Sequence, residues 1–167
     1  MRHIERIANV AIIVAVIAFL SVVVRKELFS RQLSGETAQS LVGRKINLPG
    51  VQFPNNKDSL VFVISTTCHF CRESLPFYKE FSEKSKGHLN MVWVLPQPEP
   101  EARKFLLDSG IQASRVISAA PNSLGVRGTP TAMLVDGGGK VIRVWPGKLD
   151  VAGQEELEQA ALSRTAR

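Results

Sequence analysis

Cysteine is scarce in this chain: 167 residues hold two, Cys68 and Cys71, and histidine appears three times, at His3, His69 and His88. A closed structural zinc site takes four Cys or His ligands. His3 lies ahead of a hydrophobic segment and His69 lies between the two cysteines, so no closed tetrahedral site is expected within one chain. Dense basic runs are also missing. The formal charge is +6, but Lys and Arg are scattered, and no basic motif is interleaved with aromatics. That pattern reads as a solvated basic surface and argues against nucleic acid as a partner. There is no internal repeat and no low-complexity segment, and the length suits one ordinary domain plus an appendage.

Only one long uncharged run is present, residues 7–24. Its 18 residues are near the lower limit of about 17–25 for a spanning helix. Asn9 and Ser21 are its clearly polar members, and both lie near its ends. A cleaved signal peptide has a shorter apolar region, about 7–15 residues, ending at a small-x-small site. Here the run ends in Val22-Val23-Val24-Arg25-Lys26-Glu27, without such a site. The expectation is an uncleaved, single-pass N-terminal anchor over residues 1–26, a juxtamembrane linker over 27–45 and a folded domain over 46–167. Arg2 and Arg6 precede the run and Arg25, Lys26 and Arg31 follow it, so charge does not orient it.

The rest of the chain alternates strand and helix signals. Residues 46–53 show strand-like alternation around Pro49-Gly50 and predict a small opening hairpin. Residues 59–65 form an apolar run of strand length, as expected of a central strand buried on both faces. A helix is predicted over 72–84, with Phe70, Phe77 and Phe81 on one side and a kink at Pro76. A second central strand is predicted over 90–95, and an amphipathic helix over 101–109 with Ala102, Phe105 and Leu106 inward and Gly110 as its stop. A short strand is predicted over 115–118. Two more, over 131–135 and 140–145, flank the turn Asp136-Gly137-Gly138-Gly139. Asp150 caps a last helix reaching about residue 163, with Leu157 and Ala161 inward. The order β-α-β-α-β, then a hairpin, then α, implies a mixed α/β sheet with helices on both faces. Trp93 and Trp145 are expected in the core.

Cys68 and Cys71 stand in Ser65-Thr66-Thr67-Cys68-His69-Phe70-Cys71, between the first central strand and the first helix. A CxxC there is the arrangement of a dithiol redox centre. The unpaired N–H groups and dipole of the helix start favour a thiolate on the first cysteine. A structural disulfide more often closes a longer loop, because that constrains the unfolded chain more. Two readings of His69 stand: an imidazolium that lowers the Cys68 pKa, or an exposed polar residue without a special role. Phe70 reads as contact surface or core edge.

This order, with a CxxC at the first strand-to-helix junction, resembles the thioredoxin superfamily. Pro76 lies five residues after Cys71, where the family carries its helix-kinking proline, and Arg127-Gly128-Thr129-Pro130-Thr131 looks like its cis-proline loop. The resemblance implies a cis Pro130 facing the CxxC and a Thr129 backbone that binds the substrate chain. The anchor, the opening hairpin and the long segment between Cys68 and Pro130 are most similar to membrane-anchored TlpA/ResA-type proteins, over roughly residues 46–161. Three positions depart from the pattern. Thr67 replaces the tryptophan that usually precedes the first cysteine, Phe62 replaces a buried aspartate, and Ser74 replaces a glutamate of some TlpA/ResA-type proteins, with Glu73 one residue off register.

The expected function is therefore thiol–disulfide exchange with protein thiols and disulfides, with Cys68 as nucleophile and Cys71 resolving. No cofactor beyond the Cys68–Cys71 couple and no metal is expected. The resemblance further implies the cell inner membrane, a domain facing the periplasm and a reductase fed by a membrane electron donor. Against that direction, a stabilised Cys68 thiolate favours the reduced form and makes a better oxidant. The alternative is a copper-binding, metallochaperone-like module using the two thiols as ligands. Copper-delivery relatives usually have CxxxC plus a distant histidine, so the shorter spacing argues against it. A peroxidase of the peroxiredoxin kind would need a third cysteine in another loop.

Overall fold

The computed structural model describes residues 14–22, 40–54 and 57–164. Residues 14–22 are helical, and no helix among the described residues is long and apolar enough to cross a membrane. The remainder of the expected 7–24 span, and most of the expected 27–45 linker, lie outside the described residues. The chain divides into two compact units, Met1–Glu36 and Thr37–Arg167.

The second unit is built on five strands: β1 (Ser59–Val63), β2 (Asn90–Leu95), β3 (Val116–Ser118), β4 (Thr131–Val135) and β5 (Val141–Pro146). Three helices accompany them: α1 (His69–Lys84), α2 (Glu99–Asp108) and α3 (Val151–Ser163). The sheet order is β3-β2-β1-β4-β5, with β1, β2 and β3 parallel and β4 and β5 antiparallel to their neighbours. β1 is central, and every residue in it is buried. Its even and odd positions feed two separate cores, because strand side chains alternate between faces. Leu60, Phe62 and Ile64 join one, and Val61 and Val63 join the other.

The expected placement of helices on both faces is not what forms. The buried residues of α1 (Tyr78, Phe81), α2 (Ala102, Leu106) and α3 (Leu157, Ala161) all belong to the core of Phe62 and Trp93. The crossovers β1-α1-β2 and β2-α2-β3 step in the same direction across the sheet, and parallel crossovers are right-handed. Both helices must then lie on one face. The opposite, valine-rich face is covered by Leu41, Ile46, Leu48 and Val51, and by Leu124 and Val126 in and after a 3₁₀ turn (Pro121–Leu124) that the sequence reading missed.

The expected opening hairpin does not form either. Pro49-Gly50 does turn, with Gly50 at φ +71° and Val51 N donating to Leu48 O (3.0 Å). Instead of pairing with itself, the segment pairs with the β4–β5 turn. Lys45 bridges Lys140, and Ile46 N donates to Gly139 O (2.9 Å). Its apolar residues are then free to cover the sheet. Gly139 is required at that approach: it sits at φ +85°, and a Cβ there would lie 3.3 Å from the Ile46 carbonyl.

α1 begins at His69, three residues before the expected start, because Cys68 itself is the N-cap. Pro76 lies inside α1 and has no N–H to offer the Arg72 carbonyl. Asp150 caps α3 as expected, accepting from Gly153 N (3.0 Å).

Candidate active site

The strand β1 delivers the chain to the edge of the sheet, and the turn Ser65-Thr66-Thr67 hands it to α1. Cys68 is half-buried at the N-cap of that helix and Cys71 is fully buried in its first turn; both are free thiols. The Cys68 sulfur takes the place of the usual capping oxygen, accepting from Cys71 N at 3.2 Å. No acidic residue occupies the first turn, so nothing there opposes a negative sulfur.

The loop before β4 closes the site from the other side. Thr129–Pro130 is a cis peptide, as the resemblance implied. The Cys68 thiol donates to the Thr129 carbonyl at 3.2 Å. Sixty-one residues of sequence separation thus end in contact between the CxxC and the cis-proline loop. Thr131 pins that loop, its hydroxyl donating to Gly128 O at 2.8 Å.

The two thiols are driven apart in acidity. Partial burial opposes ionisation of Cys68, but the Cys71 thiol, the Thr129 side chain and the N–H groups of Cys71 and Phe70 together outweigh it, and the Cys68 pKa falls below the ordinary thiol value. Burial pushes Cys71 up, and donating its proton to Cys68 pushes it further in the same direction. A hydrogen bond from the Ser65 N–H to its sulfur works against that rise. The pair is one half-buried thiol that ionises more readily and one buried thiol that holds its proton more tightly.

The site's other expected members are placed differently from one another. His69 turns to Glu73, its Nε2 lying 2.9 Å from Glu73 Oε1, an ion pair when the ring is protonated. Lys148, from the loop between β5 and α3, holds the second Glu73 oxygen at 2.6 Å and keeps that carboxyl below the usual carboxylate range. The groups that lower Cys68 are therefore backbone and side-chain donors of the CxxC and the cis-proline loop. Phe70 is 57% exposed beside Cys68, so it is not core edge.

Beneath Cys71 the departures from the family pattern form a dry, aromatic floor. Phe62 is fully buried and stacks on Trp93 at 4.6 Å, with Tyr78 at the same centroid distance and itself edge-on to Trp93 at 6.1 Å. Ser74 is buried, donates to Phe70 O (2.8 Å) and hydrogen-bonds Tyr78, whose phenol burial pushes well above its ordinary value. Sequence reasoning missed Ser65, Tyr78, Gln97 and Lys148 as neighbours of the site. The run of three hydroxyl residues before Cys68 was the available signal for the first. Among the described residues no group of three or more His, Cys, Asp and Glu is placed to hold a metal ion.

No protein-family model and no curated protein matches the sequence. Solved structures do. A proposed thiol:disulfide interchange protein, DsbE, from Chlorobium tepidum is 25% identical, with a TM-score of 0.57 over 74% of this chain and 99% of its own. A second Chlorobium tepidum thiol:disulfide interchange protein of the thioredoxin family is 22% identical, with a TM-score of 0.53 over 65% of this chain and 81% of its own. StoA from Bacillus subtilis is 14% identical, with a TM-score of 0.51 over 63% of this chain and 82% of its own. With the CxxC at the N-terminus of α1 and the cis-proline loop against it, the chain has a thioredoxin-like fold and is similar to solved thiol:disulfide interchange proteins.

Proposed function

We propose that this protein exchanges disulfides with protein substrates as a membrane-tethered reductase. One observation carries the exchange chemistry: a half-buried Cys68 sulfur, lowered in pKa at a helix N-cap, lies over a fully buried Cys71 and against the cis-proline loop. The Cys68 thiolate attacks one sulfur of a substrate disulfide; a Cys68–substrate disulfide forms and the other substrate sulfur leaves as thiolate. Cys71 loses its proton and attacks the Cys68 sulfur. The Cys68–Cys71 disulfide forms, and the second substrate thiolate leaves. The substrate has gained two electrons, and a membrane dithiol donor restores the Cys68–Cys71 thiols.

The direction and the tether rest on other supports. The likeness to TlpA/ResA-type proteins favours reduction and a domain facing the periplasm, and the uncharged run over residues 7–24 favours a membrane anchor. Exposed Phe70 and the Thr129 backbone are the surface on which a substrate chain would lie. The test is the reduction potential of the full-length protein, equilibrated in glutathione or dithiothreitol buffers and read by thiol mass-tagging. A value near thioredoxin's, about −270 mV, supports the reductase, and one near DsbA's, about −120 mV, reverses the direction. Absence of any reversible dithiol transition, together with tight Cu(I) binding, would replace the redox reading by the copper-binding one.

A further inference from the structure

The turn that carries Cys68 is gripped from outside the CxxC. Ser65 is buried, and its Oγ accepts from Gln97 Nε2 at 3.1 Å and pairs with Thr67 Oγ1 at 3.1 Å. The same Gln97 carboxamide accepts from Thr66 N at 3.4 Å. One side chain thereby joins two successive residues of the turn. Thr66 is held on its remaining sides as well: its carbonyl accepts from Arg72 Nε (3.2 Å) and Nη2 (2.9 Å), and its hydroxyl donates to Glu101 Oε1 at 3.3 Å.

Gln97 is itself set rigidly. It lies in Pro96-Gln97-Pro98, between the end of β2 and the first turn of α2. A proline on either side fixes φ at those positions and biases Gln97 toward extended backbone, so little freedom is lost when its amide engages the turn. Gln97 and Glu101 both come from the β2–α2 region, 31 to 35 residues from their partners, and both reach the same residue. Ser65, which Gln97 holds, accepts from Cys68 N at 3.2 Å through its carbonyl, so it fixes where Cys68 sits at the head of α1.

We propose that Gln97 is a positioning residue of the redox centre: its carboxamide, fixed between two prolines, holds Ser65 and Thr66 and so sets the reduction potential of the Cys68–Cys71 couple. The inference rests on the dithiol function proposed above. A donor held on a thiol or thiolate sulfur stabilises the reduced form more than the disulfide, whose sulfurs are weaker acceptors. Releasing Ser65 loosens Cys68, whose sulfur accepts from Cys71 N at 3.2 Å, and so shifts the couple toward the disulfide.

The experiment uses the full-length protein and Gln97→Met, which keeps length and volume but offers no hydrogen bond. In glutathione buffers the dithiol–disulfide equilibrium should move several-fold toward the disulfide; a tenfold shift is a fall of about 30 mV. Ser65→Ala should move it in the same direction, and the double variant should fall short of the sum, because both break one connection. A melting temperature is measured alongside, since a merely structural role would lower it without moving the potential. If Gln97→Met does not fold, Gln97→Glu is read instead. It keeps an acceptor for Thr66 N and for the Ser65 hydroxyl, and a potential equal to that of Gln97→Ala would then overturn the proposal. A Gln97→Met potential within twofold of the wild-type equilibrium, or strict additivity with Ser65→Ala, overturns it while leaving the dithiol function intact. A wild-type protein with no reversible transition overturns both.

Discussion

Raising the pH should change how many protons accompany the two electrons of the Cys68–Cys71 couple. Below the Cys68 pKa, reduction of the disulfide takes up two protons and the potential falls by about 59 mV per pH unit, twice the 29.6 mV that one proton contributes to a two-electron couple. Above it, Cys68 stays a thiolate and Cys71 alone takes a proton, so the slope halves to about 30 mV. The break belongs below the ordinary thiol value of about 8.5, because hydrogen bonding to the Cys68 sulfur outweighs its partial burial. No second break follows up to pH 10 or so, because burial keeps the Cys71 proton in place. The same separation governs stability of the dithiol form. Cys68 is depressed, so its contribution is complete above the unfolded pKa and is lost as pH falls through the folded one. Cys71 is raised, so its contribution is complete below the unfolded pKa and drains away above about pH 8.5, at a limiting slope of about 1.4 kcal/mol per pH unit. Potentials measured in redox buffers from pH 5 to 10, with denaturant melts of the reduced protein over the same range, test both. A slope of 59 mV persisting past pH 8.5 would mean that the N-cap does not favour the thiolate. A zero slope reached below pH 10 would mean that the floor beneath Cys71 is wet.

Cys68→Ser should abolish exchange, whereas Cys71→Ser should accumulate mixed disulfides with substrate proteins, seen as thiol-sensitive adducts on non-reducing gels. Retained activity in Cys68→Ser would assign the nucleophile to Cys71. Phe62→Ala removes a ring packed against both Trp93 and Tyr78 and should cost about 3–5 kcal/mol in urea melts, since the site is fully buried. A cost under 1 kcal/mol would show that the floor collapses freely. Asp150→Ala, which strips the cap from Gly153 N, should cost about 1 kcal/mol without moving the potential. Lys148→Ala breaks an exposed pair with Glu73 and should change stability by less than about 1 kcal/mol.

What could be read from the sequence was whatever one segment decides by itself. β1 announced itself as the apolar run Leu60-Val61-Phe62-Val63, and the CxxC, Pro76 and the Asp136–Gly139 turn each act within a few residues. Even the Asp150 cap and the inward Leu157 and Ala161 follow from local chemistry and helical spacing. The failures share a cause: each depends on a partner remote in sequence. The segment over 46–53 has hairpin patterning, but Gly139, more than eighty residues away, offers it a better partner than its own other half. The sidedness of the helices follows from strand order, which no single strand contains. Gln97 gave no signal, because its role exists only once β2 lies beside β1.

The strap that covers the valine face sets the smallest unit that can be cut from this protein. A fragment beginning at Pro54 would contain every strand and every α-helix of the second unit, and a diagram of its secondary structure would look whole. It would nonetheless bare Val61, Val63, Val92 and Val94 by discarding Leu41, Ile46, Leu48 and Val51. At about 1.5–3 kcal/mol for each buried side chain, the loss is about 6–12 kcal/mol, comparable to the whole stability of an ordinary domain, about 5–15 kcal/mol. Proteolysis between residues 46 and 54 should therefore act as an off-switch for the redox centre, although no residue it removes touches a sulfur.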